Sequence, residues 1–336
     1  MDIALIITEE LKCRKEQVDA AIKLIDEGNT IPFIARYRKE ATGALNDEQL
    51  RNLDERLTYL RNLAEKKETV IASITEQEKM TPELKKAIDE AMTMVALDDL
   101  YRPYRPKRKT RATVAKEKGL QGLADIIMLQ FLDHPLEEEA GKYINAEKEV
   151  LTTEDAIAGA MDIIAENISD NADYRKSIRE RTSARGNLIS TAKDPEAESV
   201  YEMYYDFSSP VSKMTGHRTL AINRGEKEKF LTVKLEAPVD EIIGYLEKQN
   251  IVRDNKYTTD VLKAAIADSY DRLIAPAIER EIRNQLTEEA EDGAIKVFGT
   301  NLKQLLMQPP ITGHTVLGWD PAFRTGCKLA VVDATG

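Results

Sequence analysis

Asn46-Asp47-Glu48-Gln49-Leu50-Arg51-Asn52-Leu53-Asp54-Glu55-Arg56-Leu57-Thr58-Tyr59-Leu60-Arg61-Asn62-Leu63-Ala64 decides the architecture. Asn46, with Gln49 three residues on, has the form of a capping box, in which side chain and backbone satisfy each other's orphan donors at a helix start. Behind it Leu50, Leu53, Leu57, Leu60 and Ala64 recur by threes and fours, the spacing of an apolar helix stripe. A stripe of that length must be hidden, so we expect this helix to pair antiparallel with another along its length.

The same pattern extends in both directions. Upstream, Val18, Ala21, Ile22 and Ile25 share a helical face, and Gly28 offers the left-handed residue that closes it. Pro32 is preset for a first helical turn. Downstream, Thr81-Pro82-Glu83 supplies a cap, a proline tolerated in the first turn and an acid facing the positive end of the helix. Leu84, Ala87, Ile88, Ala91, Met92 and Val95 then give one buried face. Further helices are expected over 113–118, 123–131, 137–143 and 153–167. A basic run, Arg175, Lys176, Arg179, Arg181 and Arg185, follows at roughly helical spacing.

From Asn187 the pattern turns mixed. Strands are expected over 188–192 and 230–235, with a helix over 212–223 between them. Segment 239–248 precedes a long helical run from Thr259 to about Leu306, kinked at Pro276, which has no N–H to give, and broken near Gly293 and Gly299. Finally 315–320 and 328–333 read as a hairpin around Pro321 to Gly326. The chain then stops in a turn, and since a lone hairpin is marginal in water we expect a longer protein cut inside its next domain. The expected fold class is therefore mainly α, a multi-helix scaffold with a small mixed α/β section and a terminal β-hairpin.

Composition narrows the function classes. The chain has 336 residues, 42% of them apolar and 32% charged, with a formal net charge of −11. That length suggests two or three domains, and that charge argues against a uniformly basic clamp on nucleic acid. Cys13 and Cys327 lie far apart with no metal or redox spacing, which fits a reducing cytoplasm. No apolar run approaches the roughly 18 residues that read as a membrane span. His134, His217 and His314 lack metal spacing, and no Gly-rich phosphate loop, nucleophile elbow or zinc motif occurs. No cofactor is expected.

One segment invites a polyanion. Tyr101-Arg102-Pro103-Tyr104-Arg105-Pro106-Lys107-Arg108-Lys109-Thr110-Arg111 has two prolines and no apolar face, so we expect it extended and exposed. Tyr101, Arg102, Tyr104, Arg105, Lys107, Arg108, Lys109 and Arg111 are the candidate nucleic-acid-binding residues, the cations for phosphates and the tyrosines for stacked bases. The competing reading is a basic loop folded back on acidic helices, with Asp98 and Asp99 close by. Arg36, Arg38 and Lys39 are expected to be paired into the helical body, and Tyr201, Tyr204 and Tyr205 to pack between layers.

Four blocks together resemble the Tex family of bacterial transcription-accessory proteins. They are Gly28-Asn29-Thr30-Ile31-Pro32-Phe33-Ile34-Ala35-Arg36-Tyr37-Arg38-Lys39-Glu40, the run from Leu97 to Arg111, the run from Ser212 to Glu226, and Gly318-Trp319-Asp320-Pro321-Ala322-Phe323-Arg324-Thr325-Gly326. They follow in order over nearly the whole chain. The resemblance implies a helical N-terminal domain over 1–187, a mixed α/β and long-helix scaffold over 188–312, and over 313–336 the first hairpin of a truncated YqgF-like domain of ribonuclease-H fold. It also implies helix-hairpin-helix motifs and an S1 domain beyond, the S1 domain being held to be the main nucleic-acid binder, and kinship with a eukaryotic elongation factor that binds histones.

The implied role is a transcription-accessory scaffold whose partner is RNA or DNA. The alternative is a protein-interaction scaffold docking to RNA polymerase or ribosome components. Asp320 would be a metal ligand in a nuclease of that fold, but its partner carboxylates lie on later strands, and Ala322 stands where the usual motif has glycine. No enzymatic activity is expected of this chain.

Overall fold

The computed structural model describes residues 2–106, 109–309, 312–324 and 326–335. Its chain divides into two compact units, residues 1–182 with 238–278, and residues 183–237 with 279–336. The stretch Pro238–Ile278 thus joins the first unit, although in sequence it falls inside the 188–312 segment.

In the first unit come α1 (Ile3–Leu11), α2 (Lys15–Asp26), α3 (Ile31–Tyr37), α4 (Asp47–Glu76), α5 (Pro82–Glu90) and α6 (Met94–Tyr101). They are followed by α7 (Arg111–Glu117), α8 (Gln121–Leu129), α9 (Leu136–Gly141), α10 (Thr153–Ser169) and α11 (Ala172–Arg185). The capping box at Asn46 is present in both directions, and α4 runs 30 residues, about 45 Å at the usual rise. Leu50, Leu53, Leu57, Leu60 and Leu63 are buried along it.

Its cover differs from the expected single partner. The shorter helices α1, α2, α3, α5 and α6 share the face of α4. Chain breaks at Gly28, at the turn 38–46 and after Glu90 leave the neighbours too short to span α4 alone. The apolar stretch 84–95 is likewise two helices, because Thr93 accepts the Ala96 N–H at 3.2 Å and caps a new start.

The second unit supplies β1 (Asn187–Ala192), β2 (Asp206–Pro210), α12 (Gly216–Lys227) and β3 (Leu231–Glu236), after which α13 (Val239–Asn250) and α14 (Thr259–Asp268) return to the first unit. Both β2 and β3 pair antiparallel with β1 in the order β2-β1-β3. The sequence reading missed β2. Tyr201 and Tyr204 are buried with Leu188, Ile222, Leu231 and Val233 in this unit's core, which bears out their packing role. Gly225 has to be small: a Cβ there would lie 2.6 Å from Leu231 Cδ1.

A π-helical turn, Ser269–Ile274, leads from α14 into α15 (Ala275–Leu306). Pro276 at the head of α15 leaves one carbonyl of that turn without its usual donor, and the wider turn absorbs the mismatch. The expected break at Gly293 and Gly299 does not occur, and α15 continues through both. The chain closes on the antiparallel hairpin β4 (Val316–Pro321) and β5 (Cys327–Val332), with Asp320 opposite Lys328.

Candidate nucleic-acid interface

The basic segment lies between α6 and α7. Tyr101 ends α6, and its carbonyl accepts the N–H groups of Tyr104 and Arg105, both at 2.9 Å, so the chain closes a further turn. Pro103 and Pro106 stop that turn from continuing as helix. Thr110 then caps α7 and accepts the Thr113 N–H at 3.1 Å. Residues 101–105 thus form a compact turn rather than the extended chain expected of them, and Thr110 is a cap.

The tyrosines are anchors. The Tyr101 hydroxyl lies 3.0 Å from Ser73 Oγ, Gln77 Nε2 donates to the Tyr104 carbonyl at 2.8 Å, and both rings are half-buried against the core around α4. Two of the basic residues face acids. Arg102 Nε lies 3.4 Å from Asp170, and Lys109 Nζ lies 3.9 Å from Glu117 across an exposed gap.

Arg111 is exposed at the first turn of α7, and its charge is felt at Asp162 and Asp268. Burial raises the Asp162 carboxyl above its ordinary value, with Arg272 and Arg111 opposing. The Arg272 hydrogen bond holds Asp268 below it. Arg105 is exposed and makes no ion pair among the described residues. Lys107 and Arg108 lie outside the described residues.

Arg105 stands on a cleft of about 760 Å³. Glu76, Gln77 and Lys79 at the end of α4 form one wall, Pro103 to Pro106 another, and Thr113 and Lys116 of α7 a third, above Glu166, Asn167, Asp170 and Asn171. Lys79 and Lys116 are exposed and, like Arg105, form no ion pair among the described residues. The cleft therefore carries three cations without ion pairs among the described residues, together with the carboxylates of Glu76, Glu166 and Asp170. Sequence reasoning missed Lys79 and Lys116, because neither sits in a basic run and only the packing of α4, α7 and α10 brings them to Arg105.

The basic run on α11 has another role. Arg175 is fully buried and donates to Asp99 at 2.7 Å, and Arg179 donates to the other oxygen of the same carboxylate at 2.7 Å. Asp99 thus belongs to α11 and not to the basic loop, while the half-exposed Asp98 pairs with Lys66 at 2.7 Å. His134 is held by Asp133 at 2.8 Å and Glu139 at 3.1 Å.

Arg36, Arg38 and Lys39, expected to be paired into the body, are exposed and make no ion pair among the described residues. Those residues also contain no group of three or more His, Cys, Asp or Glu side chains placed to hold a metal. No helix among them is long and apolar enough to cross a membrane.

Comparison with known proteins matches the order of these blocks. Residues 1–75 match the Tex-like protein N-terminal domain, and residues 133–298 match the Tex central region-like family. YdcI of Bacillus subtilis (strain 168) is 51% identical over 98% of this chain and 46% of its own length. The transcriptional accessory protein Tex of Neisseria gonorrhoeae is 39% identical over 100% of this chain and 45% of its own. S1 RNA-binding domain-containing protein 1 of Homo sapiens is 34% identical over 94% of this chain and 33% of its own. The chain spans less than half the length of each of these relatives. With both family models matched in order and relatives similar from end to end of these 336 residues, the chain belongs to the Tex family.

Proposed function

We propose that this chain is the helical scaffold of a cytoplasmic, nucleic-acid-handling transcription-accessory protein, and that it offers phosphates a contact at the cleft beside the basic segment. The observation that carries this reading is Arg105, exposed on the cleft rim beside Lys79 and Lys116, all without ion pairs among the described residues. Cations without ion-pair partners on one cleft attract a phosphate backbone even in an acidic body, and here they do so against the carboxylates of Glu76, Glu166 and Asp170 in the same lining. The names of the Neisseria and human relatives, a transcriptional accessory protein and an S1 RNA-binding domain-containing protein, support the role for the whole protein.

Titrating the chain with single-stranded and duplex nucleic acid at low and moderate salt tests it. Arg105→Ala should weaken binding alike for all sequences and flatten the log–log salt slope by about 0.7 on single strands. An unchanged slope would refute the contact.

A second reading, a scaffold that docks proteins such as RNA polymerase, is favoured by Arg102 on Asp170 and by Arg111 near Asp162, since both fold the segment back onto its own body. On that reading no salt-dependent binding occurs, and Arg102→Ala lowers the melting temperature instead. Either way we expect no metal-dependent cleavage by this chain, because Asp320 stands exposed on a two-stranded sheet, away from partner carboxylates among the described residues. Cleavage of a single strand with magnesium, lost in Asp320→Asn, would overturn that expectation.

A further inference from the structure

The end of α3 and the turn after it carry a second cationic surface that the basic segment does not touch in sequence. Arg36, Tyr37, Arg38 and Lys39 are all exposed, Tyr37 to 66%. Its ring lies 5.3 Å from Phe33 at 47°. The Arg38 guanidinium stands 5.1 Å from the centre of the Phe33 ring, a cation–π distance. None of the three cations has an ion-pair partner among the described residues.

The surface is held rigidly from below. Thr42 is fully buried, its N–H donating to the Arg38 carbonyl at 3.1 Å and its hydroxyl to the same carbonyl at 3.2 Å. Gln17 of α2 clamps the turn by donating to the carbonyls of Thr42 at 3.3 Å and Gly43 at 2.8 Å. Gly43 sits at φ +58°, where a side chain is strained, and a Cβ would also meet Gln17 Nε2 at 2.9 Å and Arg14 Nη2 at 3.0 Å, so one there would have to push aside the clamp. That geometry brings Arg14, exposed and likewise without an ion pair among the described residues, alongside the turn.

We propose that this patch is a binding platform for single-stranded nucleic acid, with a base stacked on Tyr37 and phosphates met by Arg36, Lys39 and Arg14. An open aromatic face among uncompensated cations is the combination that single strands require. The ring accepts any base, and the cations follow the backbone. A duplex hides its base faces and can use only the cations. Preorganisation by Gln17 and Thr42 lowers the cost of ordering the site on binding. The platform shares the nucleic-acid reading proposed above but stands on separate residues, so the two can fail separately.

The test is fluorescence anisotropy of the intact chain with labelled oligouridine and oligothymidine across a salt series, with a duplex of equal length alongside. Tyr37→Ala should weaken single-strand binding roughly 5- to 150-fold, the range for one stacked base, with the salt slope unchanged. Tyr37→Phe should retain affinity. Arg36→Ala and Lys39→Ala should each flatten the slope by about 0.7. Lys85→Ala, an exposed lysine on α5, should leave both readings as in the parent.

All these side chains are exposed, and thermal melting of each variant checks that it folds. Parent-like single-strand binding by Tyr37→Ala would overturn the platform. If Arg105→Ala alone lost slope, the cleft would stand and the platform fall. Absence of any salt-dependent binding would remove both.

Discussion

Replacing Asp99 with alanine withdraws the carboxylate that Arg175 and Arg179 share. Asp99 is 5% exposed and Arg175 fully buried, so solvent cannot take the place of the lost charge. Removing one partner of a buried pair costs about 3–5 kcal/mol, because the other charge stays desolvated. The first unit comprises 182 residues in one stretch and 41 in the other, 223 together. For a domain of that size each kcal/mol moves the melting temperature by roughly 2–4 °C, giving an expected fall of roughly 6–20 °C.

The neighbouring residue is the internal control. Asp98 pairs with Lys66 at 2.7 Å with both side chains well exposed, so Asp98→Ala should cost below about 1 kcal/mol. Differential scanning calorimetry of the two variants against the parent reads the contrast directly. Combining Asp99→Ala with Arg175→Met should cost less than the two single changes added together, since they break one network. An Asp99→Ala protein that melts within 2 °C of the parent, or at no lower a temperature than Asp98→Ala, would refute the assignment of this carboxylate to the core.

Leu57, 2% exposed on α4, should tolerate aspartate poorly, with a loss of about 3–5 kcal/mol in urea unfolding; an unchanged midpoint would mean the stripe faces solvent. Gly159→Ala on α10 would drive a methyl to 2.3 Å from Leu120 Cδ1 and should destabilise by about 1–3 kcal/mol despite the better helix propensity of alanine; a stabilised variant would refute the close approach. Asp133, and then Glu139, hold His134 above its ordinary value, so its stabilising contribution is complete below about pH 6.5 and is lost as pH rises through the raised folded value. Ring proton NMR should give a His134 midpoint above about 6.5, and a lower one would contradict the pairing.

Caps were the most legible part of the fold. Asn46 and Thr81 announce helix starts through local chemistry, and both stand where the pattern puts them. Thr93 does the same, but it lies inside an apolar run that mimics one continuous helix, so the break was hidden. Strand β2, Asp-Phe-Ser-Ser-Pro, escaped because an edge strand of five mostly polar residues shows no alternation. Gly293 and Gly299 were read as breaks, yet a glycine costs a helix only about 1 kcal/mol, and 32 residues of cooperative helix absorb two.

The candidate site was legible only in part. Charge density marked out residues 101–111, but the partners that divide its residues into anchored and free lie far along the chain: Ser73 and Gln77 before it, Asp170 after it. Lys79 and Lys116 meet Arg105 only once the helices pack. Arg36, Arg38 and Lys39 were expected to be paired into the helical body, and the fold makes no such ion pair among the described residues.

The discontinuity of the first unit bears on how a ribosome can make it. Gln130 accepts the N–H groups of Val252 and Arg253, both at 3.0 Å, and Ser269 donates to the Ala165 carbonyl at 2.8 Å. Those partners emerge only after residues 183–237 have been translated, and 96 residues separate Thr182 from Ile278. At bacterial elongation speeds that interval lasts roughly 5–20 s. Throughout it, the side of α10 that α14 and the π turn will cover has no cover from its own chain.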